Sequence, residues 1–121
     1  MAEIASSKFL LSTTVSAGNA SGTRPAASGL IPDNCHSIII FNPDATNDVY
    51  VAIGSNGDVL DPTGGGGTVP FIIPAQTSAT LNMGSVGVRP QSGHTESDQL
   101  IYQSSAGTIQ VNITYICANV F

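Results

Sequence analysis

Charge is what this chain has least of: three basic residues, Lys8, Arg24 and Arg89, against eight acidic ones in 121 residues, so that only 9% of the chain is charged. An ordinary soluble domain carries roughly 25%. Three scattered cations at a formal charge of −5 exclude a phosphate-binding stripe, and with it a nucleic-acid partner. Tryptophan is absent, and Tyr50, Tyr102 and Tyr115 are the only tyrosines, which leaves little for a sugar-stacking platform. No long apolar run occurs either. Ile38 to Phe41 and Phe71 to Ile73 fall far short of the roughly 20 residues that span a bilayer, so no membrane association is expected. The N-terminus has a lone Lys8 and a short apolar cluster, Phe9 to Leu11, without the basic region and apolar core of a secretory signal, which points to synthesis in a cytoplasm.

Cys35 and Cys117 are too few for a disulfide framework and are not spaced as metal pairs. They are expected as free, half-buried thiols, an expectation that changes if their strands prove adjacent. His36 and His94 are the only histidines. Strict strand alternation puts Cys35 and His36 on opposite faces, so they do not form a nucleophile–base pair. His94, Glu96 and Asp98 are the densest set of ligand-type side chains, but they match no metal-binding spacing. Asp44, Asp48, Asp58 and Asp61 flank turns, where aspartate serves backbone hydrogen bonds. The run Gly64 to Gly67 lacks the Lys and the helix of a phosphate loop. Two glycosylation triplets, at Asn19 and Asn112, carry little weight without a secretory signal. No enzyme, no cofactor and no metal site is expected.

What the chain does have is β patterning, with 41% hydrophobic residues to fill one core. Thr108 to Tyr115 alternates without a break, with Ile109, Val111, Ile113 and Tyr115 on one face and Thr108, Gln110, Asn112 and Thr114 on the other. Lys8 to Ser16 predicts a first strand. Ala17 to Asn34 then has no periodicity and reads as a loose arm with a small strand of its own, or as a long excursion lying on a partner. Ser37 to Phe41, apolar on both faces, predicts a central strand or one covered by a neighbouring subunit. The turn cluster Asn42 to Asp48 leads into a strand with Val49, Val51 and Ile53, which predicts a hairpin. Val59-Leu60 predicts a brief strand, Thr63 to Thr68 a flexible linker, and Val69 to Ile73 and Ser78 to Met83 further strands. Gln99 to Ser104, the turn Ser105-Ala106-Gly107 and Thr108 to Ala118 predict a closing hairpin.

About seven or eight short strands, with no helical pattern, predict an all-β fold: a β-sandwich or jelly-roll-like antiparallel domain over residues 35–121, preceded by an extended N-terminal strand and arm over residues 1–34.

From Ile38 to Val120 the order of motifs resembles small virion proteins of tailed bacteriophages. The features are an apolar strand ending in Asn42-Pro43, a Val49-Tyr50-Val51 strand closing on Ile53-Gly54, and a Gly-rich stretch leading into Pro70-Phe71-Ile72-Ile73-Pro74-Ala75. The strand Ser78 to Met83 and the segment Leu100 to Val111 complete the set. The resemblance implies a capsid decoration, or cement, protein of the virion, commonly a homotrimer, whose partner is the major capsid protein. A neutral polar skin suits such a role, because many equivalent modest contacts gain from multivalency. On this reading the contact residues are Phe9, Leu11, Val15, Arg24 and Leu30 of the arm, with Gln110 and Asn112 of the last strand. The alternative is a receptor- or glycan-binding head or tail fibre module that uses the loops 54–69 and 84–98.

Overall fold

The structure, a computed structural model, describes residues 8–18, 27–32, 35–54, 57–65, 67–82 and 99–118. Among the described residues there are eight strands: β1 (Lys8–Ala17), β2 (Ala27–Leu30), β3 (Cys35–Phe41), β4 (Val49–Gly54), β5 (Phe71–Ile73), β6 (Ser78–Asn82), β7 (Gln99–Ser104) and β8 (Ile109–Ala118). They form two four-stranded antiparallel sheets, ordered β1-β8-β3-β6 and β2-β7-β4-β5. One apolar cluster is shared between them. Ile38, Ile40, Val111, Ile113 and Tyr115 of the first sheet meet Val49, Val51, Ile73, Leu100 and Tyr102 of the second, which makes the all-β sandwich the sequence predicts.

The long alternating strand behaves as its pattern requires. In β8, Ile109, Val111, Ile113, Tyr115 and Cys117 are buried, while Gln110 and Asn112 are exposed. The doubly apolar β3 is central, held between β8 and β6.

Three expectations meet a different arrangement. The boundary at residue 34 falls between strands of one sandwich: β1 pairs with β8 over its whole length, and β2 pairs with β7. β1 is the first strand the sequence predicts and β2 the small strand expected within the arm, and each is an edge strand of its sheet. The two predicted hairpins are instead arches between sheets. β3 and β7 each hand the chain to a strand of the opposite sheet, because their ladders are already filled, β3 by β6 and β8, β7 by β2 and β4. Backbone donors at the end of β7 go elsewhere: Ser104 N–H donates to the Gly18 carbonyl at 3.0 Å and Ser105 N–H to the Asp48 carbonyl at 2.9 Å.

The third difference is the glycine-rich loop, which is folded where a flexible linker was expected. Asp61 Oδ1 accepts from Thr63 N–H at 2.9 Å and from Thr63 Oγ1 at 2.6 Å, and Thr68 N–H donates to the Val59 carbonyl at 2.8 Å. Glycine is required at Gly67 because a Cβ there would run into the Val59 carbonyl. In place of the brief strand at Val59-Leu60 there is a single bridge between Leu60 and Thr68. The loop lies on the outer face of the second sheet, where Leu60 packs on Ile101 with Tyr50 and Ala52 beside them, and Gln103 Nε2 donates to the Leu60 carbonyl at 3.4 Å. Leu60→Ala removes the plug of this small second core. The expected cost is about 2–3 kcal/mol in urea unfolding, with faster proteolysis within residues 57–68 than elsewhere.

Candidate functional site

Leu60 packs over Ile101, Tyr50 and Ala52 on the second sheet, where Leu30 and Ile72 stay exposed. On the outer face of β1-β8-β3-β6, Leu10, Phe41, Thr80 and Asn112 are exposed, and register sets the composition. Directly opposed residues share a face in an antiparallel sheet, so the pairings give rows across four strands. One row is Thr14, Asn112, Phe41 and Ser78; the next is Ser12, Thr114, Ile39 and Thr80; the third is Leu10, Ile116, Ser37 and Asn82. None of these residues is charged. Lys8 stands one rung further on, in register with Ala118.

Three pairs of hydroxyl and amide groups on this face bond to one another. Ser12 Oγ and Thr114 Oγ1 are 3.0 Å apart, Ser37 Oγ donates to Asn82 Oδ1 at 3.1 Å, and Gln110 Nε2 donates to Ser16 Oγ at 2.9 Å. Groups already bonded to each other give up little when water is removed, and no ion must be desolvated. Apolar anchors run through the same surface: Leu10 is 65% exposed and Phe41 41%, with Ile39 and Ile116 half-buried between them. Depletion of charge together with apolar anchors is the compositional mark of a protein–protein contact.

Four strands about 4.8 Å apart, over about six residues, present roughly 400 Å². A stable interface buries about 800 Å² per partner, so one such face binds weakly alone and strongly only as one of several.

Of the residues nominated from sequence, Gln110 and Asn112 lie on this exposed face. Leu30 is 62% exposed on the edge strand β2 of the other sheet. Val15 is half-buried and packs against the core, so it belongs to the interior of the sandwich. Phe9 and Leu11 stand in register with Cys117 and Tyr115 on β1, and Arg24 lies outside the described residues. Sequence reasoning missed Ile39, Phe41 and Thr80, which join the face only once β3 is known to pair with β8 and β6 with β3. The signal was the doubly apolar pattern of β3, which predicts either a central strand or one covered by a neighbouring subunit without naming its outer residues as contacts.

Nothing in the described residues resembles a reaction centre. No group of three or more His, Cys, Asp or Glu converges among them, and His94, Glu96, Asp98 and the loop 84–98 lie outside the described residues. A cleft of about 360 Å³ opens between the β4–β5 edge and β6, lined by Ala52, Ile53, Phe71, Thr80, Leu81 and Asn82, none of which titrates. Tyr102 and Tyr115 are core residues and Tyr50 is half-buried under the 57–68 loop, so no tyrosine offers a free face to a sugar. No helix long and apolar enough to cross a membrane is present among the described residues.

The titrating groups of the core have the opposite character to activated ones. Burial, then the neighbouring Tyr102, Cys35 and Cys117, pushes the Tyr115 hydroxyl up to about 12. Burial, then Cys117, pushes the Cys35 thiol up to about 11, and burial raises Tyr102 and Cys117 as well. These acids are neutral when protonated, so the unfolded chain loses its protons first as pH rises. The stability they supply is complete below the ordinary values near 9 and 10 and is lost as pH climbs through about 11 and 12. Under reducing conditions the urea midpoint should therefore hold near neutral pH and fall steadily above about pH 9; a midpoint unchanged to about pH 11 would contradict the assigned burial.

No protein-family model matches the sequence, and no curated protein matches it. Among solved structures, a chain from work on Bacillus endospore appendages, described there as a novel family of disulfide-linked pili, aligns at 14% identity. The alignment covers 93% of this chain and 88% of that one, with a TM-score of 0.44.

Proposed function

We propose that this chain is a structural virion subunit that decorates a phage capsid and stabilises it by bridging neighbouring copies of the major capsid protein. The observation that carries the reading is the outer face of β1-β8-β3-β6, whose three described rows hold no charge and expose Leu10 and Phe41. That face supplies the capsid contact. Association of decorating subunits, as a homotrimer, multiplies it.

The same sheet offers the means of association. Its two edge strands, β1 and β6, have one charge between them, Lys8 at the start of β1, and neither contains proline. Proteins that stay monomeric guard such edges with lysine, proline or bulges. An edge of one copy laid against an edge of the next continues the ladder and brings several weak faces into one rigid array.

Location and copy number on the particle test the reading. Electron cryo-microscopy should find the chain in hundreds of copies over the shell, with the β1-β8-β3-β6 face turned toward the capsid. A handful of copies at one vertex, with that face in solvent, would replace the decoration role with a fibre or connector role. In solution, light scattering should report a small oligomer, and a strict monomer at high concentration would remove the edge-pairing step.

A further inference from the structure

Cys35 and Cys117 occupy one rung of the β3–β8 ladder, both fully buried and both free. The pairing depends on an irregularity. Ile38 and Ile40 point into the core, and strict alternation from them would place Cys35 on the outer face, away from Cys117. The register shifts between Cys35 and Ser37, inserting His36 as an extra residue, and this bulge turns Cys35 back to the core side opposite Cys117.

Facing residues of an antiparallel pair have Cα atoms about 4.5 or 5.5 Å apart, and both spacings fall within the range a disulfide spans. We propose that Cys35 and Cys117 are the halves of an intrachain cross-strand disulfide that locks β3 to β8, formed by exchange with a low-molecular-weight disulfide such as oxidised glutathione. One cysteine thiolate attacks a sulfur of the oxidant, giving a mixed disulfide and releasing one thiolate. The second cysteine thiolate then attacks the mixed disulfide at the protein sulfur, forming the Cys35–Cys117 bond and releasing the second thiolate. The two protein thiol protons end on the two released thiols; the cysteines are oxidised and the small disulfide is reduced.

The location makes this feasible without dismantling the core. Cys35 is the first residue of β3 and Cys117 the last but one of β8, so opening the end rung admits the oxidant while the ladder from Ile38 to Phe41 stays closed. Burial keeps both thiols protonated in the closed state, so exchange passes through that opening and is slow at neutral pH. Once formed, the bond is shielded from reductant by the same burial.

The protein, purified reduced, is incubated with oxidised glutathione in mild urea at slightly alkaline pH, then quenched with acid, unfolded and alkylated. The expected product is a monomer lighter by two hydrogens, with neither thiol alkylated, with peptides containing Cys35 and Cys117 joined, and with Tm raised by roughly 10 °C over the reduced form. The double variant C35A/C117A, treated identically, should show no change in Tm. Two alkylated thiols, stable glutathione adducts on both cysteines, or a cross-link between chains would each overturn the proposal, as would the same Tm rise in the double variant.

Discussion

Replacing Asn42 by Ala should cost about 3 kcal/mol of stability and lower Tm by roughly 12 °C, more than the loss of an exposed turn residue could. Asn42 sits immediately after β3 and is fully buried. Its Nδ2 donates to the Ile73 carbonyl at 3.0 Å and to the Asn47 carbonyl at 2.9 Å, and its Oδ1 accepts from Asp44 N–H at 3.0 Å. Its own backbone N–H donates to the Thr77 carbonyl at 2.9 Å. One side chain thereby ties the end of a strand in the first sheet to β5 of the second and closes the 42–48 crossing between them. Alanine leaves two carbonyls and an N–H short of partners in a dry site. Asn42→Asp should be worse, because an oxygen would replace the donating nitrogen and face two carbonyl oxygens. Urea unfolding followed by fluorescence or circular dichroism measures both. An alanine variant within about 1 kcal/mol of the parent would mean that water replaces the lost donors at little cost.

The same residue shows how far the sequence could be read. Asn42 is visible as a turn residue ending an apolar strand, and Asn-Pro is a sound stop signal. What is not visible is that its amide reaches a strand from the other sheet, since that depends on the crossing being an arch. Short polar turns look alike whether they close a hairpin or carry the chain between layers; the difference lies in which ladders are already filled, a property of the whole strand order. β8 was legible because apolar and polar residues alternate without a break from Thr108 to Tyr115. β2 was legible only as a small strand somewhere in the arm, because Ala27, Ser28, Gly29 and Leu30 show no period of two, and its bounds follow from its pairing to β7. The bulge at His36 left a trace: Cys35 lies an odd number of residues before Ile38, so two buried positions could share a face only if the strand slipped by one.

For the candidate surface, half of the information was in one strand. Gln110 and Asn112 already announced an uncharged outer face, and overall composition said that charge would be scarce everywhere. That Leu10, Ile39 and Phe41 are set among them follows only from the order β1-β8-β3-β6, which brings residues from both ends of the chain into adjacent rows.

On the proposed decorating role, a lysine placed in the middle of that face should weaken capsid binding by a factor of about 100 or more while leaving the fold intact. Asn112 and Thr80 are the positions to use, because both are exposed, both lie in the rows that carry the apolar residues, and neither side chain supports the core. In the free protein Asn112→Lys and Thr80→Lys extend into water, so each should change stability by less than about 0.5 kcal/mol. Docked, the ammonium must shed its hydration against a surface that gives it no carboxylate from its own sheet, at a cost of several kcal/mol that the modest face cannot absorb. The two positions also separate the two contacts. Asn112 is on the central strand β8, so Asn112→Lys should abolish face docking and leave the oligomer unchanged; Thr80 is on the edge strand β6, so Thr80→Lys should reduce both. Binding to bare capsids by co-sedimentation, with light scattering on the free protein, reads the two effects independently. If both variants bind as tightly as the parent, the uncharged face is solvent in the assembly, and attachment must come from the second sheet and its 57–68 loop.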